Sequence, residues 1–171
     1  MPAPDAPVTP SAVLDAALAA QVTLATAESL TGGALCSSLV DTPGASAVVL
    51  GGVVAYDAKL KHSVLGVDAA LLRDHGVVSE ATAAAMAAGV REVTGADVGV
   101  ATTGAAGPEA HDGAAPGTVC LAVSTDGRTV ARTLMVPGDR AQVRAGAVTA
   151  ALGLVLEALD ERIGRSAQRG T

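Results

Sequence analysis

The chain has 171 residues, of which 50% are hydrophobic and 16% charged. That composition fits one domain of ordinary size with a buried core and excludes a disordered chain. The net charge of −6, with no basic run, argues against a nucleic-acid surface, and a single tyrosine with no Trp or Phe excludes stacking-based recognition of single strands.

In chain order, Met1 to Pro10 is Pro-rich and lacks the basic start of a signal peptide. It reads as a disordered lead-in. Residues 11–162 read as one domain and 163–171 as a fraying tail. Ser11 to Ala20 has helical spacing, and Val22 to Ala27 reads as a short buried strand. Glu28-Ser29-Leu30-Thr31-Gly32-Gly33 is a polar, Gly-rich turn, and Ala34 to Val40 a helix ended by Asp41-Thr42-Pro43-Gly44. Ala47 to Ala55 is a β-type run whose Gly51-Gly52 pair suggests a bulge or close approach. Asp57 is the N-cap of a helix over Ala58 to Leu65. Asp68 to His75 forms a short helix, and Ser79 caps a longer one from Glu80 to Val93, with Gly95 past its end.

Asp97 to Thr102 is a second buried strand running into a Gly-rich loop, Thr103-Gly104-Ala105-Ala106-Gly107-Pro108. Thr118 to Ser124 and Arg128 to Val136 flank Asp126-Gly127, a strong hairpin signal. Asp139 and Gln142 make a capping pattern that opens a helix from Arg140 to about Arg162. Strands alternating with helices predict an α/β domain: a three-layer α/β/α sandwich around a mainly parallel, mixed sheet with one antiparallel hairpin. No unbroken apolar run approaches the roughly 18 residues of a membrane span, so the chain reads as cytoplasmic. Cys36 and Cys120 sit far apart in apolar surroundings and read as core residues.

Ligands of such sheets bind beyond the carboxyl ends of the strands. Three informative segments follow predicted strands: Glu28 to Gly33, Tyr56 to Lys61, and Thr103 to Pro108. Ser29 lies between a strand and a helix, where free backbone N–H groups can hold an oxyanion and a serine can act as nucleophile. Alternatively, Ser29 or Thr31 simply caps the helix. A nucleophilic serine needs a base. The choices are Lys61, if burial removes its charge, and the histidines, of which His75 and His111 have no carboxylate partner that the sequence places. The basic residues are nine Arg and only two Lys, Lys59 and Lys61, in a chain that is roughly one-fifth Ala. Such a bias reads as a GC-rich coding background, against which a retained lysine is a good functional candidate. Lys59 reads as solvated. Tyr56 can donate a proton, orient the lysine or stack on a ring, or it is an ordinary core or interface tyrosine. Arg140 and Arg144 can pair with phosphate, or are solvated. No Walker A pattern and no metal-ligand spacing occurs, so a metal is not implied.

Taken together, these segments resemble one family. Thr26 to Gly33, Gly51 to Tyr56 with Lys61, His75 to Ser79, Thr103 to Pro108, Pro116 to Val119 and Pro137 to Arg140 all match the pattern of the CinA C-terminal domain family, the nicotinamide-nucleotide amidohydrolases. The likeness runs from about residue 10 to 160 without a large gap. It implies hydrolysis of nicotinamide mononucleotide to nicotinate mononucleotide and ammonia, with no metal or redox cofactor. Ser29 is then the nucleophile and Lys61 the base, with Tyr56 close by. Thr31, Gly32 and Gly33 would supply oxyanion donors, and Thr103, Gly104, Gly107 and Arg140 would hold the 5′-phosphate. The implied partner is a small-molecule nucleotide, with a homodimer or higher homo-oligomer as the assembly and no nucleic acid or membrane. Position 30 is Leu where many relatives carry Cys, and Ala114-Ala115-Pro116 replaces Lys-Pro-Val before Gly117. A non-catalytic nucleotide-binding module, linked to competence or DNA damage, is the alternative; it keeps the glycine loops but needs neither Ser29 nor Lys61.

Overall fold

The structure is a computed structural model that describes residues 8–169, with side chains described over 8–162. Of the expected lead-in, residues 1–7 lie outside the described residues. Thr9 and Pro10 are already structured. The Thr9 hydroxyl accepts from the Ala12 amide, and Pro10 supplies the preset φ of a first helical residue in α1 (Pro10–Ala19). The chain continues through β1 (Leu24–Glu28), α2 (Ala34–Val40), a 3-10 turn (Ala45–Ala47), β2 (Val49–Val54), α3 (Ala58–Ser63), α4 (Ala69–His75) and α5 (Glu80–Thr94). It then forms β3 (Val98–Gly104), β4 (Thr118–Thr125), β5 (Arg128–Met135) and α6 (Arg140–Arg169).

Local signals account for these boundaries. Asp57, Asp68 and Ser79 each accept a backbone N–H of the helix they open. Asp139 and Gln142 bond reciprocally, each side chain to the other's amide, at the start of α6. Several boundaries differ from the sequence reading: β1 takes in Glu28, β2 starts at Val49 and ends at Val54, and α3 ends at Ser63. β3 runs on through Gly104, so Thr103 and Gly104 end a strand rather than open a loop. The backbone of α6 stays helical to Arg169, past the expected end near Arg162; the tail side chains lie outside the described residues.

The sheet order is β2-β1-β3-β4-β5. β1 pairs in parallel with both β2 and β3, whereas β3–β4 and β4–β5 are antiparallel. The sheet is therefore mixed, with a second antiparallel pairing beyond the expected hairpin. This topology positions the site. The carboxyl ends of β1, β2 and β3 share one edge, and the reversals bring the start of β4 and the end of β5 to it. Ser29, Ala55–Tyr56, Gly104–Ala105, Gly117 and Arg140 all meet there.

The two faces of the sheet differ in side-chain size. Leu24, Val98, Val100, Val119, Leu121 and Val123 face α1, α2 and α6. Ala25, Ala27, Ala101, Cys120 and Ala122 face α5 and the α3–α4 segment. The small face lets α5 lie close to the sheet, which is how a chain without Phe or Trp fills its core. α6 is the one described helix long and apolar enough to cross a bilayer by length and composition, a property that the search for unbroken apolar runs does not register. Its buried stripe, including Val143, Ala147, Ala151, Val155 and Leu159, packs into the larger core instead.

One buried carboxylate sets the turn between β1 and α2. Glu28 is fully buried. Its Oε2 accepts the amides of Gly33 (3.0 Å) and Leu35 (3.0 Å) and the Thr31 hydroxyl (2.7 Å). Its Oε1 accepts the Cys36 amide (2.8 Å) and the Thr26 hydroxyl (3.1 Å). A carboxylate at a helix N-terminus satisfies orphan donors and opposes the positive end of the helix dipole. Gly33, at φ 97°, makes the left-handed step that aims these amides inward.

Two stability predictions follow from the packing. Glu28→Gln puts an NH2 group where only acceptors fit, and urea unfolding should show a loss of about 2–4 kcal/mol. An unchanged midpoint would remove the anchoring role. Gly89→Ala should also destabilise, although alanine ordinarily favours a helix interior over glycine. A Cβ at Gly89 meets the Leu65 backbone. The expected loss is about 1–3 kcal/mol, read from the thermal midpoint; a gain would show that the α5–Leu65 contact is loose.

Candidate active site

Continuation of the parallel ladder carries the backbone into the site. The Ser29 amide donates to Thr102 O (2.9 Å) and the Ala55 amide to Glu28 O (2.8 Å). β1 is thereby tied to both neighbours where its chain turns toward α2. Ser29 is 8% exposed and opens onto a cleft of about 440 Å³ that is also lined by Leu30, Tyr56, Gly104 to His111, and Arg140. This is within the usual size range of a small-molecule site.

Behind Ser29 lies Lys61, 1% exposed, although it sits on a short helix whose neighbours Lys59 and Leu60 face solvent. Its Nζ lies 3.0 Å from Ser29 Oγ, 2.7 Å from Ala55 O and 3.3 Å from Tyr56 O. Burial lowers the lysine pKa from 10.5 to about 8, against the attraction of nearby Asp57, which raises it. In the ammonium form all three protons have acceptors. In the neutral form two protons stay on the carbonyls, and the lone pair is directed at Ser29 Oγ. The pair can therefore pass a proton from hydroxyl to amine without moving a side chain. No histidine takes this place: His62 Nδ1 pairs with Val67 O (2.8 Å), His75 is exposed beyond the site, and His111 lines the cleft with no described bond to Ser29.

The remaining residues divide by what they touch. Gly104, Gly107, Tyr56 and Arg140 line the cleft. The Tyr56 side chain is 62% exposed, and its hydroxyl accepts from Arg140 Nη2 (3.0 Å); only its backbone carbonyl contacts Lys61. Arg140 Nη1 also donates to Gly107 O (2.9 Å), so this guanidinium bridges two walls. Thr103, Thr31, Gly32 and Gly33 support the walls instead. Thr103 Oγ1 donates to Val77 O (2.6 Å), and the buried Thr31 hydroxyl lies between Glu28 and Thr102. The Gly32 amide donates to Ser29 O (3.1 Å) and the Gly33 amide to Glu28, so neither is free for an oxyanion. The amides of Leu30 and Thr31, and those of Ala106 and Gly107, donate to no acceptor in the described hydrogen bonds.

Arg144 does not face the cleft as a phosphate ligand. Its Nε and Nη2 donate to Leu30 O (2.9 Å) and Thr31 O (2.8 Å). Its place one turn after Arg140, on the same side of α6, carries no signal for these partners. Glu28 went unrecognised because a carboxylate beside Ser and Thr in a polar turn reads as solvated. Asp112, whose Oδ2 accepts the Val77 amide (2.5 Å), fastens the cleft-lining loop to the segment between α4 and α5 and carried no sequence signal at all. Leu30 is 4% exposed and joins the larger core.

Residues 8–159 match the CinA C-terminal domain model. A CinA-like protein of Frankia casuarinae is 51% identical over 133 residues, which is 78% of this chain and 31% of that protein. A CinA-like protein of Mycobacterium marinum is 49% identical over 86% of this chain and 35% of its own length. The chain thus spans about a third of the length of the curated relatives it matches. Solved structures superpose over most of the chain. A CinA-superfamily protein from Klebsiella pneumoniae has a TM-score of 0.86 at 36% identity, covering 89% of this chain and 96% of that one. One from Escherichia coli has a TM-score of 0.83 at 37% identity, covering 86% of each. On sequence and fold together, the chain belongs to the CinA C-terminal domain family.

Proposed function

We propose that this domain is a serine–lysine amidase that deamidates nicotinamide mononucleotide. The observation that carries the reading is the buried Lys61 Nζ 3.0 Å from Ser29 Oγ at the floor of the cleft. Neutral Lys61 takes the Ser29 proton as Oγ attacks the carboxamide carbon. The tetrahedral oxyanion is received by the unpaired amides of Leu30 and Thr31, in place of the Gly32 and Gly33 amides that the sequence suggested. Collapse breaks the C–N bond. The Lys61 ammonium returns its proton to the leaving nitrogen, and ammonia departs. Water then attacks the acyl carbon as Lys61 accepts its proton; the C–Oγ bond breaks, Lys61 returns that proton to Ser29 Oγ, and nicotinate mononucleotide is released with the dyad restored. The Ala106 and Gly107 amides and Arg140, at the far wall, suit a 5′-phosphate. A nucleotide-binding module without catalysis would have no use for a lysine held in the dry interior against a serine hydroxyl.

The direct experiment incubates the protein with nicotinamide mononucleotide and measures ammonia, with nicotinamide and glutamine as controls. Ser29→Ala should lower kcat by orders of magnitude with the fold intact. Near-full activity in that variant would eliminate the covalent scheme.

The proton balance gives a sharper prediction. A general base acts only when deprotonated, so kcat/KM should rise with pH through an apparent value near 8 that belongs to the Ser29–Lys61 pair. Lys61→Arg keeps the charge but cannot lose its proton, and it should be as inactive as Lys61→Met. Lys59→Arg should match wild type. Substantial turnover in Lys61→Arg would reduce the lysine to a fixed charge.

Removing the substrate's phosphate, or Arg140→Ala, should weaken kcat/KM about ten- to hundred-fold, the size of one charge-assisted contact. Equal hydrolysis of nucleoside and nucleotide would withdraw Arg140 from phosphate binding.

A further inference from the structure

The Leu30–Thr31 peptide is held from one side only. Its oxygen accepts from Arg144 Nε at 2.9 Å, the one described hydrogen bond to that oxygen. Its N–H, on fully buried Thr31, has no described acceptor. The neighbouring peptide differs, because Thr31 O accepts both Arg144 Nη2 (2.8 Å) and the Ala34 amide (3.1 Å). Gly32, at φ 60°, leaves room for the guanidinium, and a Cβ there would stand 3.4 Å from Arg144 Nη2. This peptide directly follows the Ser29–Leu30 segment that lines the cleft.

A peptide plane can rotate between two fixed Cα atoms, exchanging the directions of its C=O and N–H. Nothing on the N–H side of this plane resists that rotation. In a trans peptide the two bonds point to opposite sides. A donor fixing the oxygen therefore fixes where the N–H points, and a cationic donor also polarises it. We propose that Arg144 is a positioning residue for acyl transfer, whose guanidinium fork locks the Leu30–Thr31 peptide so that the Thr31 amide faces the developing oxyanion. The inference rests on the serine–lysine reading and adds a residue to it that never touches the substrate. It also accounts for two adjacent donors on one side chain: Nη2 anchors the guanidinium on an oxygen already held by α2, and Nε, in the same rigid plane, then has no freedom over Leu30 O.

The test compares Arg144→Gln, Arg144→Lys and Lys61→Met with wild type. Readouts are steady-state kinetics on nicotinamide mononucleotide, the rate of labelling of Ser29 by a small alkyl fluorophosphonate (followed by intact mass), and thermal midpoints. Arg144→Gln should lose about ten- to hundred-fold in kcat and in labelling rate, because both reactions pass through an oxyanion at the same atom. KM should stay within about threefold, and the pH midpoint near 8 should not move, since the Ser29–Lys61 pair is untouched. Arg144→Lys, with one point charge for two carbonyls, should fall between. Labelling and kcat at the wild-type level in a folded Arg144→Gln variant would overturn the proposal, as would a loss confined to KM. The Lys61→Met arm reads the dyad separately: wild-type labelling there would overturn the serine–lysine chemistry while the Arg144 arm still reports on the amide.

Discussion

The carboxylate of Glu28 beneath the first turn of α2 is the contact on which the site depends. A helix N-terminus at the end of a parallel strand normally offers its amides to a ligand anion. Here the anion belongs to the chain. The Gly33, Leu35 and Cys36 amides all close on Glu28, and Thr31 and Thr26 complete its shell. The turn is thus set before any substrate arrives, and the substrate must find its donors elsewhere. Amides at the cleft that donate to no acceptor in the described hydrogen bonds include those of Leu30 and Thr31, just before the helix, and those of Ala106 and Gly107 across the cleft. A turn whose amides read as free to hold an oxyanion is in this way divided: the Gly33, Leu35 and Cys36 amides close on Glu28, and those of Leu30 and Thr31 keep hydrogen-bonding capacity for a ligand.

The sequence made the elements legible wherever one residue carries the signal. Caps at Asp57, Asp68, Ser79 and Asp139 mark their helices because a side-chain oxygen and a nearby amide settle the matter within four residues. Convergence of three polar segments at one sheet edge was also legible, since parallel strands put their carboxyl ends together. Pairings between distant segments were not. The antiparallel seating of β4 on β3 depends on how a thirteen-residue connection reverses the chain, and no local pattern in residues 105–117 encodes it. The same holds for Arg144: its partners are 114 and 113 positions away, and only the finished fold separates it from Arg140, which reads identically as a cation in the first turns of α6. Tyr56 shows the converse error. Its proximity to Lys61 in sequence is real, but the contact runs through the backbone carbonyl while the ring turns outward to Arg140.

Lys61 shows how composition reaches the chemistry. A lysine is rarely buried, because its charge is better solvated by water. Two carbonyls and a hydroxyl supply what solvation it retains, and all three are positioned by strand ends rather than by flexible side chains. Leu65 and Val67, just beyond it, enter the alanine-rich core beneath α5, and the Val67 amide donates to Lys61 O (3.0 Å). The small face of the sheet draws α5 close, and the same core takes in the segment that follows α3. The ammonium is consequently desolvated by packing that exists for stability, and its pKa falls to about 8 with no neighbouring cation needed.

That origin has a consequence for how the base is tuned. A lysine depressed by a nearby positive charge would respond to salt and to the arrival of an anionic substrate, because both screen or cancel the charge. A lysine depressed by burial has no such cation to screen or cancel. Asp57 acts in the opposite direction, raising the pKa, and it is exposed at the N-cap of α3, where its carboxylate already accepts the Lys59 amide (2.8 Å). Screening of Asp57 by salt can therefore only lower the Lys61 pKa further, favouring the neutral amine. The neutral amine is thus favoured by packing that is part of the fold, and not by a neighbouring cation that an anion could neutralise.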